Sequence, residues 1–380
     1  MMFTTIAILV TGFTYFCLIV WLSSGWRRLK SFDPISKAKI STTVSIVIAA
    51  RNEEQNIARC LNDLLAQDFS GKKFEIIVVD DHSSDNTSEE VNKIATLTNK
   101  IKFIRLAEKK EKEKAKGKKA ALAVGINEAK GELIITTDAD CRFHKQWLQS
   151  LTTYYETFKP VMISAPVIFE PQKSFSGKFY ELEFIGLVVS GAGALRLNKP
   201  LMCNGANLAF SRRHFLEFQN NKTDSSWASG DDMFLMHWVK NNYGAKNIHF
   251  LKSGKAVVTT KAPANIHDFV MQRIRWGSKT RAYPNTFAAL VAAIVFINSL
   301  FLIAGSISSI FFPALIIPVL ISWILKFLSD WILLYPSSKF FNKTGLLKWF
   351  VPFQIFHAIY ILSIAILSMF SGYNWKGRRL

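Results

Sequence analysis

Residues 131–141 read Gly131-Glu132-Leu133-Ile134-Ile135-Thr136-Thr137-Asp138-Ala139-Asp140-Cys141. Leu133 to Ile135 is a short apolar run of the kind found in a buried strand, and two carboxylates sit two residues apart just past its end. In a parallel α/β sheet the crevice beyond the carboxyl ends of the strands receives ligands, so both acids are expected to face a site rather than the core. Oxygen ligands of this kind suit a hard divalent cation, and such a cation usually arrives with phosphates attached. The stretch therefore reads as a metal and diphosphate site. An isolated Asp-x-Asp would be read as a solvated acidic turn, and the surrounding chain decides between the two.

Upstream, Val44-Ser45-Ile46-Val47-Ile48-Ala49-Ala50 reads as a first buried strand. It ends in Arg51-Asn52-Glu53-Glu54 and passes into a helical pattern with Ile57, Leu61, Leu64 and Leu65 on one face. A second strand over Phe74 to Val79 ends in Asp80-Asp81 and turns through His82-Ser83-Ser84-Asp85-Asn86-Thr87 into another helix. A strand delivering polar side chains where a helix begins, twice over, is the pattern of a doubly wound nucleotide-binding half. The Gly-rich dinucleotide fingerprint and the P-loop are missing, which argues against NAD and ATP. Lys109 to Lys119 is Lys-rich and reads as a solvated loop. Lys118 stands apart, because it opens the helical pattern at Ala120 to Val124 and a helix N-terminus beside a Lys favours phosphate.

Downstream, Trp147 to Phe158 reads as a helix and Val161 to Ala165 as a strand. Phe175 to Leu197 is apolar but broken by Lys178, Glu181 and Glu183, and reads as an amphipathic surface helix and loop grazing a membrane. Cys203-Asn204-Gly205-Ala206-Asn207 is a turn able to line a pocket. Gly230-Asp231-Asp232 places two acids at the start of a helix over Met233 to Val239, where one can cap the helix while the other points into a site. Asn265 to Lys279 reads as a basic amphipathic helix, with Ile266, Phe269, Val270 and Ile274 on one side and Gln272, Arg273, Arg275 and Lys279 elsewhere.

The ends of the chain differ in character. Phe3 to Leu22 is long and apolar enough to cross a bilayer, and Trp26, Arg27, Arg28 and Lys30 after it place that flank on the cytoplasmic side. Phe287 to Ala304, Ser308 to Leu328 and Phe350 to Phe370 are three more span-length segments, the middle one running on across Lys326 and Asp330. The 380 residues carry 31 Phe, and a formal charge of +19 that suits a phosphorylated substrate and an anionic membrane surface. No nucleic-acid recognition motif accompanies that charge, so nucleic acid is not expected as a partner. The four cysteines, Cys17, Cys60, Cys141 and Cys203, are scattered and fit a reduced compartment.

In this order the motifs resemble the family 2 glycosyltransferases with a GT-A fold, in the membrane-embedded branch of cellulose, hyaluronan and poly-N-acetylglucosamine synthases. The pieces are Ala50-Arg51-Asn52-Glu53, Asp80-Asp81, Gly117-Lys118 with Ala121-Leu122, Asp138-Ala139-Asp140, Asn204-Gly205-x-Asn207, Gly230-Asp231-Asp232 and Gln272-x-x-Arg275-Trp276. The resemblance implies an α/β GT-A domain with a doubly wound mixed sheet over 41–260, and an N-terminal transmembrane helix over 1–25. It further implies an interfacial helix over 264–283 and about three transmembrane helices over 286–371, in an integral cytoplasmic-membrane protein of the cell envelope whose catalytic domain faces the cytoplasm. By the same resemblance Ala49, Ala50, Arg51, Asn52, Glu53, Asp80 and Asp81 hold the nucleotide, most often uridine. Lys118 approaches the diphosphate, Asp140 with Asp138 holds Mg²⁺ or Mn²⁺, and Asp232 with Asp231 is the catalytic base pair of acids. Asn204, Gly205, Gln272, Arg275 and Trp276 serve the acceptor or gate the diphosphate.

The family usually carries Thr-Glu-Asp where this chain has Gly230-Asp231-Asp232, which bears on the acceptor more than on the reaction. Two enzymatic readings follow: addition of a sugar to a membrane-associated lipid or glycan, and processive synthesis of an exopolysaccharide. A third reading, a non-catalytic scaffold that binds nucleotide sugar, predicts lost acids, whereas Asp80, Asp81, Asp138, Asp140 and Asp232 are all present.

Overall fold

The structure, a computed structural model, describes residues 2–34, 40–71, 73–108, 117–221, 231–279, 285–370, 374–375 and 378–379. The chain opens with helix α1 (Met2–Arg28). An alternating series follows: β1 (Val44–Ala50), α2 (Ile57–Leu65), β2 (Phe74–Asp80), α3 (Thr87–Ala95), β3 (Ile101–Arg105), α4 (Lys118–Glu128) and β4 (Leu133–Asp138). Then come β5 (Arg142–Phe143), α5 (Trp147–Phe158), β6 (Met162–Ser164), β7 (Val167–Phe169) and the long α6 (Phe175–Arg196). The remainder is β8 (Leu208–Ser211), α7 (Arg212–Asn220), α8 (Asp231–Tyr243), β9 (Ile248–Phe250), β10 (Val258–Thr260), α9 (Ile266–Lys279), α10 (Thr286–Phe311), α11 (Ile316–Phe340) and α12 (Phe350–Phe370).

These elements divide into two compact units. One comprises Lys30–Glu170 and Met202–Lys261, the other Met1–Leu29, Pro171–Leu201 and Ala262–Leu380.

The first unit is built on a seven-stranded sheet in the order β3-β2-β1-β4-β8-β6-β9. β1 to β4 are mutually parallel, and β8 runs antiparallel to both β4 and β6. Parallel strands joined by crossover helices are covered on both faces, which is why Ile46, Val47, Ile48, Ile76 to Val79 and Leu133 to Ile135 form continuous apolar runs with almost no exposure. The register brings Ala50 level with Asp80 and Ala49 level with Asp138. Three loops therefore leave the sheet at one height. Helix α4 lies close on this sheet: a Cβ on Gly125 would stand 2.5 Å from a Val47 methyl. A second, three-stranded sheet of the same unit has the order β5-β10-β7.

The other unit is helical. α1 packs along α11, α6 and α10, and α12 packs on α10 and α9. Among the described residues four helical segments are long and apolar enough to cross a membrane: Met2–Arg28, Thr286–Phe311, Pro313–Phe340 and Thr344–Ser368. α1 and α6 approach through glycine. A Cβ on Gly193 would come 2.1 Å from the Leu22 carbonyl oxygen, and one on Gly25 would come 2.2 Å from that of Gly193. Charged groups inside this unit are paired. Lys326 on α11 donates to Asp330 at 2.6 Å and to Gln354 on α12, and the Tyr15 hydroxyl of α1 donates to Asp330 at 2.8 Å.

Two expectations change here. Phe175 to Leu197 is one continuous helix of which Tyr180, Glu181, Leu182, Glu183, Phe184 and Ile185 are buried, not a surface helix and loop. Its acids are compatible with burial because each has a partner: Lys343 donates to Glu181 at 2.6 Å, and Arg273 forms a salt bridge with Glu183. On α9 the expected apolar side is buried at Phe269 and Ile274, but Ile266 is exposed, and Arg273 from the expected polar side is enclosed as well because it pairs with Glu183.

Candidate active site

The site lies at the carboxyl ends of β1, β2 and β4, where Ala50 stands level with Asp80 and Asp138 one residue below, level with Ala49. Its first wall is made by two loops laced together. Arg51 Nη1 donates to the Asp81 carbonyl at 2.7 Å and to the His82 carbonyl at 3.1 Å. Asn52 N–H donates to Ser83 Oγ, and Ser84 N–H returns a bond to Asn52 Oδ1 at 3.0 Å. Glu53 N–H reaches Thr87 Oγ1 at 2.7 Å, and Glu54 and Asp85 side chains accept from the facing backbone. Asn52 (φ 51°) and His82 (φ 56°) take left-handed backbone conformations, which cost a non-glycine residue free energy and persist where surrounding bonds enforce them.

Asp80 and Asp81 serve this scaffold. Asp80 is 4% exposed, and its carboxylate accepts from Ser83 N–H, Ser83 Oγ and Ser88 Oγ. Asp81 is 1% exposed and accepts from Gly117 N–H at 3.1 Å, with His82 Nδ1 at 3.2 Å. Gly117 (φ 100°) can make that bond while starting α4 because it carries no Cβ. The Asp81 bond thus fixes the N-terminus of α4 beside the end of β2. Lys118, the next residue, forms an ion pair with Asp138.

Asp138 is the last residue of β4 and not, as the apolar run suggested, a residue beyond it; Thr136 and Thr137 continue the strand to the acid. Asp140 follows in the turn, and its Oδ2 accepts from Thr260 Oγ1 on β10 at 2.9 Å. Burial, reinforced by the charges of Asp138 and Glu53, pushes the Asp140 carboxyl up to about 6. Glu53, Asp138 and Asp140 therefore share one electrostatic neighbourhood, in which Lys118 supplies the opposing charge. Cys60 and Cys141 lie beneath the acids, and burial first, then the nearby carboxylates, pushes both thiols well up and keeps them protonated.

The second wall hangs from the same strand. Thr136 Oγ1 donates to the Gly205 carbonyl at 2.9 Å and Thr137 Oγ1 to that of Ala206 at 2.8 Å. Asn204 caps this turn by accepting from Ala206 N–H. Gly205 N–H then donates to Asp232 Oδ2 at 3.1 Å, so three hydrogen bonds tie Asp232 on α8 to the strand that carries Asp138. Asn207 is fully buried and structural: it accepts from Trp147 Nε1 and donates to the Pro166 and Ala256 carbonyls. Gly230 and the side chain of Asp231 lie outside the described residues.

Taken together, the candidate site has two carboxylates, a lysine and a helix N-terminus on one wall, and a separate carboxylate on the other. Residues 45–217 match the model of glycosyl transferase family 2. Glycosyltransferase AglE of Haloferax volcanii is 32% identical over 106 residues, which cover 28% of this chain and 33% of that protein. The undecaprenyl-phosphate 4-deoxy-4-formamido-L-arabinose transferase of Edwardsiella ictaluri is 34% identical over 107 residues, 28% of this chain and 31% of the relative. These matches span about a third of the relatives' own length. Among solved structures, the mannosyltransferase PcManGT from Pyrobaculum calidifontis, in complex with GDP-Man and Mn²⁺, superposes with a TM-score of 0.61 at 16% identity, over 97% of this chain and 98% of that one. The sheet unit accordingly has the GT-A fold.

The residues singled out by their motifs are not all in one place. Ala49, Ala50, Arg51, Asn52, Glu53, Asp80, Asp81, Lys118, Asp138, Asp140, Asn204, Gly205 and Asp232 belong to the sheet unit, whereas Gln272, Arg275 and Trp276 stand on α9 in the helical unit. There one neighbour of Trp276 is already settled, because the Arg273 guanidinium lies 4.3 Å from its ring centroid. The contributions of Thr136, Thr137, Thr260 and Arg273 escaped the sequence reading. Two hydroxyls ending an otherwise apolar strand were the one available signal, since polar groups in a buried strand need partners.

Proposed function

We propose that the chain is an inverting glycosyltransferase that moves a sugar from a nucleotide-sugar donor to a membrane-associated lipid acceptor, with the sheet unit on the cytoplasmic side. The observation that carries this reading is the hydrogen-bonded path Thr136/Thr137–Gly205–Asp232, which holds one carboxylate across from Asp138, Asp140 and Lys118 on a rigid frame. Donor transfer needs charge stabilisation on a leaving diphosphate and a base for the attacking hydroxyl, and the two walls divide those tasks. Lys118 and the N-terminus of α4 bind diphosphate oxygens. Asp232 takes the proton from the acceptor hydroxyl, with Asp231 beside it in sequence, and direct attack inverts the anomeric centre. The Arg51 to Glu53 loop and the loop after Asp81 enclose the nucleoside, with Asp80 and Asp81 holding those loops in shape.

The donor set fits a hard divalent cation. Asp138 and Asp140 offer oxygen ligands only, the neighbouring thiols stay protonated, and among the described residues no three His, Cys, Asp or Glu side chains gather into a cage. Mg²⁺ or Mn²⁺ held by one or two carboxylates completes its shell with substrate phosphates and water. When bound there, the cation neutralises charge on the leaving diphosphate. The Mn²⁺ bound to the Pyrobaculum mannosyltransferase agrees with that choice.

A lipid acceptor is supported by the four span-length helices and by the polyprenyl phosphate substrate of the Edwardsiella relative. The cytoplasmic orientation is supported by Arg27 and Arg28 in the last turn of α1. For Gln272, Arg275 and Trp276, a part in acceptor or diphosphate handling is supported by the motif itself, which also favours the second reading, a processive polymerase.

The test is nucleoside diphosphate release by nanodisc-embedded protein across UDP- and GDP-sugars, with Mn²⁺ or Mg²⁺ and polyprenyl phosphate or native lipid extract. Release with one donor, reduced at least ~100-fold by Asp232→Asn, supports the transferase. Binding of a donor without turnover under every condition would instead favour a nucleotide-sugar-binding scaffold. Thin-layer separation of product tells a migrating glycolipid from a polymer held at the origin.

A further inference from the structure

Lys118 and Asp138 are each about one-third exposed, and their ion pair sits on a carboxylate of the donor set. The pair is built rather than incidental. Asp81 holds Gly117 N–H, which sets where α4 begins and so where Lys118 projects, while Asp138 is fixed as the last residue of β4. Asp140 is held from the other side by Thr260. An ammonium and a divalent cation on one carboxylate repel each other, so whichever binds Asp138 weakens the other. A nucleoside diphosphate changes the balance, since its oxygens at the N-terminus of α4 offer Lys118 a second and more highly charged partner.

We propose that Lys118 competes with the divalent cation for Asp138, so that the cation binds strongly only when a nucleoside diphosphate draws the lysine away. The inference rests on the donor reading given above, and adds to it that cation and diphosphate bind as a coupled pair. By linkage the coupling is reciprocal: the diphosphate raises cation affinity by the same factor as the cation raises diphosphate affinity.

The experiment is Mn²⁺ titration of the full chain in nanodiscs, followed by electron paramagnetic resonance of free Mn²⁺, with and without UDP or GDP. Wild type should bind Mn²⁺ about tenfold or more tightly in the presence of one of the two nucleotides. Lys118→Met should raise Mn²⁺ affinity without nucleotide by about tenfold and shrink the coupling, whereas Lys118→Arg should keep the wild-type pattern. Lys118→Gln serves as a second neutral variant should Lys118→Met unfold. Unchanged or weaker Mn²⁺ binding without nucleotide in both neutral variants would overturn the competition. Wild type that binds Mn²⁺ but neither nucleotide would instead overturn the donor reading, while the lysine variants would still report on the competition itself.

Discussion

Glu183→Leu should be among the most damaging single substitutions in the helical unit. Glu183 and Arg273 are 4% and 3% exposed at their side chains. The guanidinium donates through Nε at 3.3 Å and through Nη2 to the two carboxylate oxygens, Tyr360 donates to Oε1 at 3.1 Å, and Arg273 Nη1 reaches Gln272 Oε1 at 2.7 Å. Removing the carboxylate leaves a buried cation with the Gln272 amide, the Tyr360 hydroxyl and the faces of Phe269, Trp276 and Phe184, whose centroids lie 4.6, 4.3 and 5.9 Å away. Breaking one side of such a pair costs about 3–5 kcal/mol, of which the aromatic faces return about 0.5–2. The net loss is roughly 1–4.5 kcal/mol, or about 0.7 to 3 decades in the folding equilibrium. Arg273→Met combined with Glu183→Leu removes both charges and should recover most of that loss, because two apolar side chains of similar size replace the pair. The assay is reversible unfolding in mixed micelles, followed by tryptophan fluorescence, across the double-mutant cycle. A double variant as unstable as the sum of the singles, or a Glu183→Leu cost under about 1 kcal/mol, would refute the reasoning.

Gly193→Ala should separate α1 from α6 at a cost of at least about 1–3 kcal/mol, seen as a lower unfolding midpoint, because the new methyl would lie 2.1 Å from a backbone oxygen. Thr137→Val should cost about 1–3 kcal/mol and lower turnover, since the buried Ala206 carbonyl loses its donor and the turn holding Asp232 loosens. With EDTA present, two groups of the sheet unit should oppose each other on acidification. Asp140, raised to about 6, favours the fold at low pH and loses that contribution as pH rises through 6; His237, lowered to about 4 by burial and by Lys240, favours the fold above its ordinary value and loses that as pH falls from about 6.5 to 4. Asp140→Asn should therefore leave stability that climbs with pH, and His237→Gln stability that declines with pH, as read by unfolding midpoints between about pH 4 and 6.5.

Those elements whose burial is two-sided were the easiest to read. Val44–Ala50 and Phe74–Asp80 are continuous apolar runs because helices cover both faces of a parallel sheet, and Trp147–Phe158 keeps a helical period throughout. The acids ending those strands stood out for the same reason, since charge at the end of a buried run has to face something. What stayed hidden depends on partners far away in sequence. Glu181 and Glu183 made α6 look like a surface helix, because the residues that neutralise them, Lys343 and Arg273, lie beyond residue 270. Asp80 and Asp81 were read as nucleotide contacts, and the additional bonds their oxygens accept from Ser83, Ser88 and Gly117 are not something the motif alone reveals. Arg273 was assigned to the polar side of α9 because helical periodicity counts charge and not pairing.

The position of α6 within the chain sets an order of events during synthesis. It emerges soon after β7, while the residues that complete its surroundings, Arg273, Lys343 and Tyr360, are still to be translated. At roughly 5–20 residues per second, the 160 positions from Glu183 to Lys343 take about ten to thirty seconds. Throughout that interval a helix with two uncompensated carboxylates is disfavoured in a packed apolar surrounding, so the nascent segment should stay protease-sensitive and become protected only once the last helices arrive. A ribosome stalled before Arg273 would then display α6 as cleavable, and one stalled after Tyr360 would not.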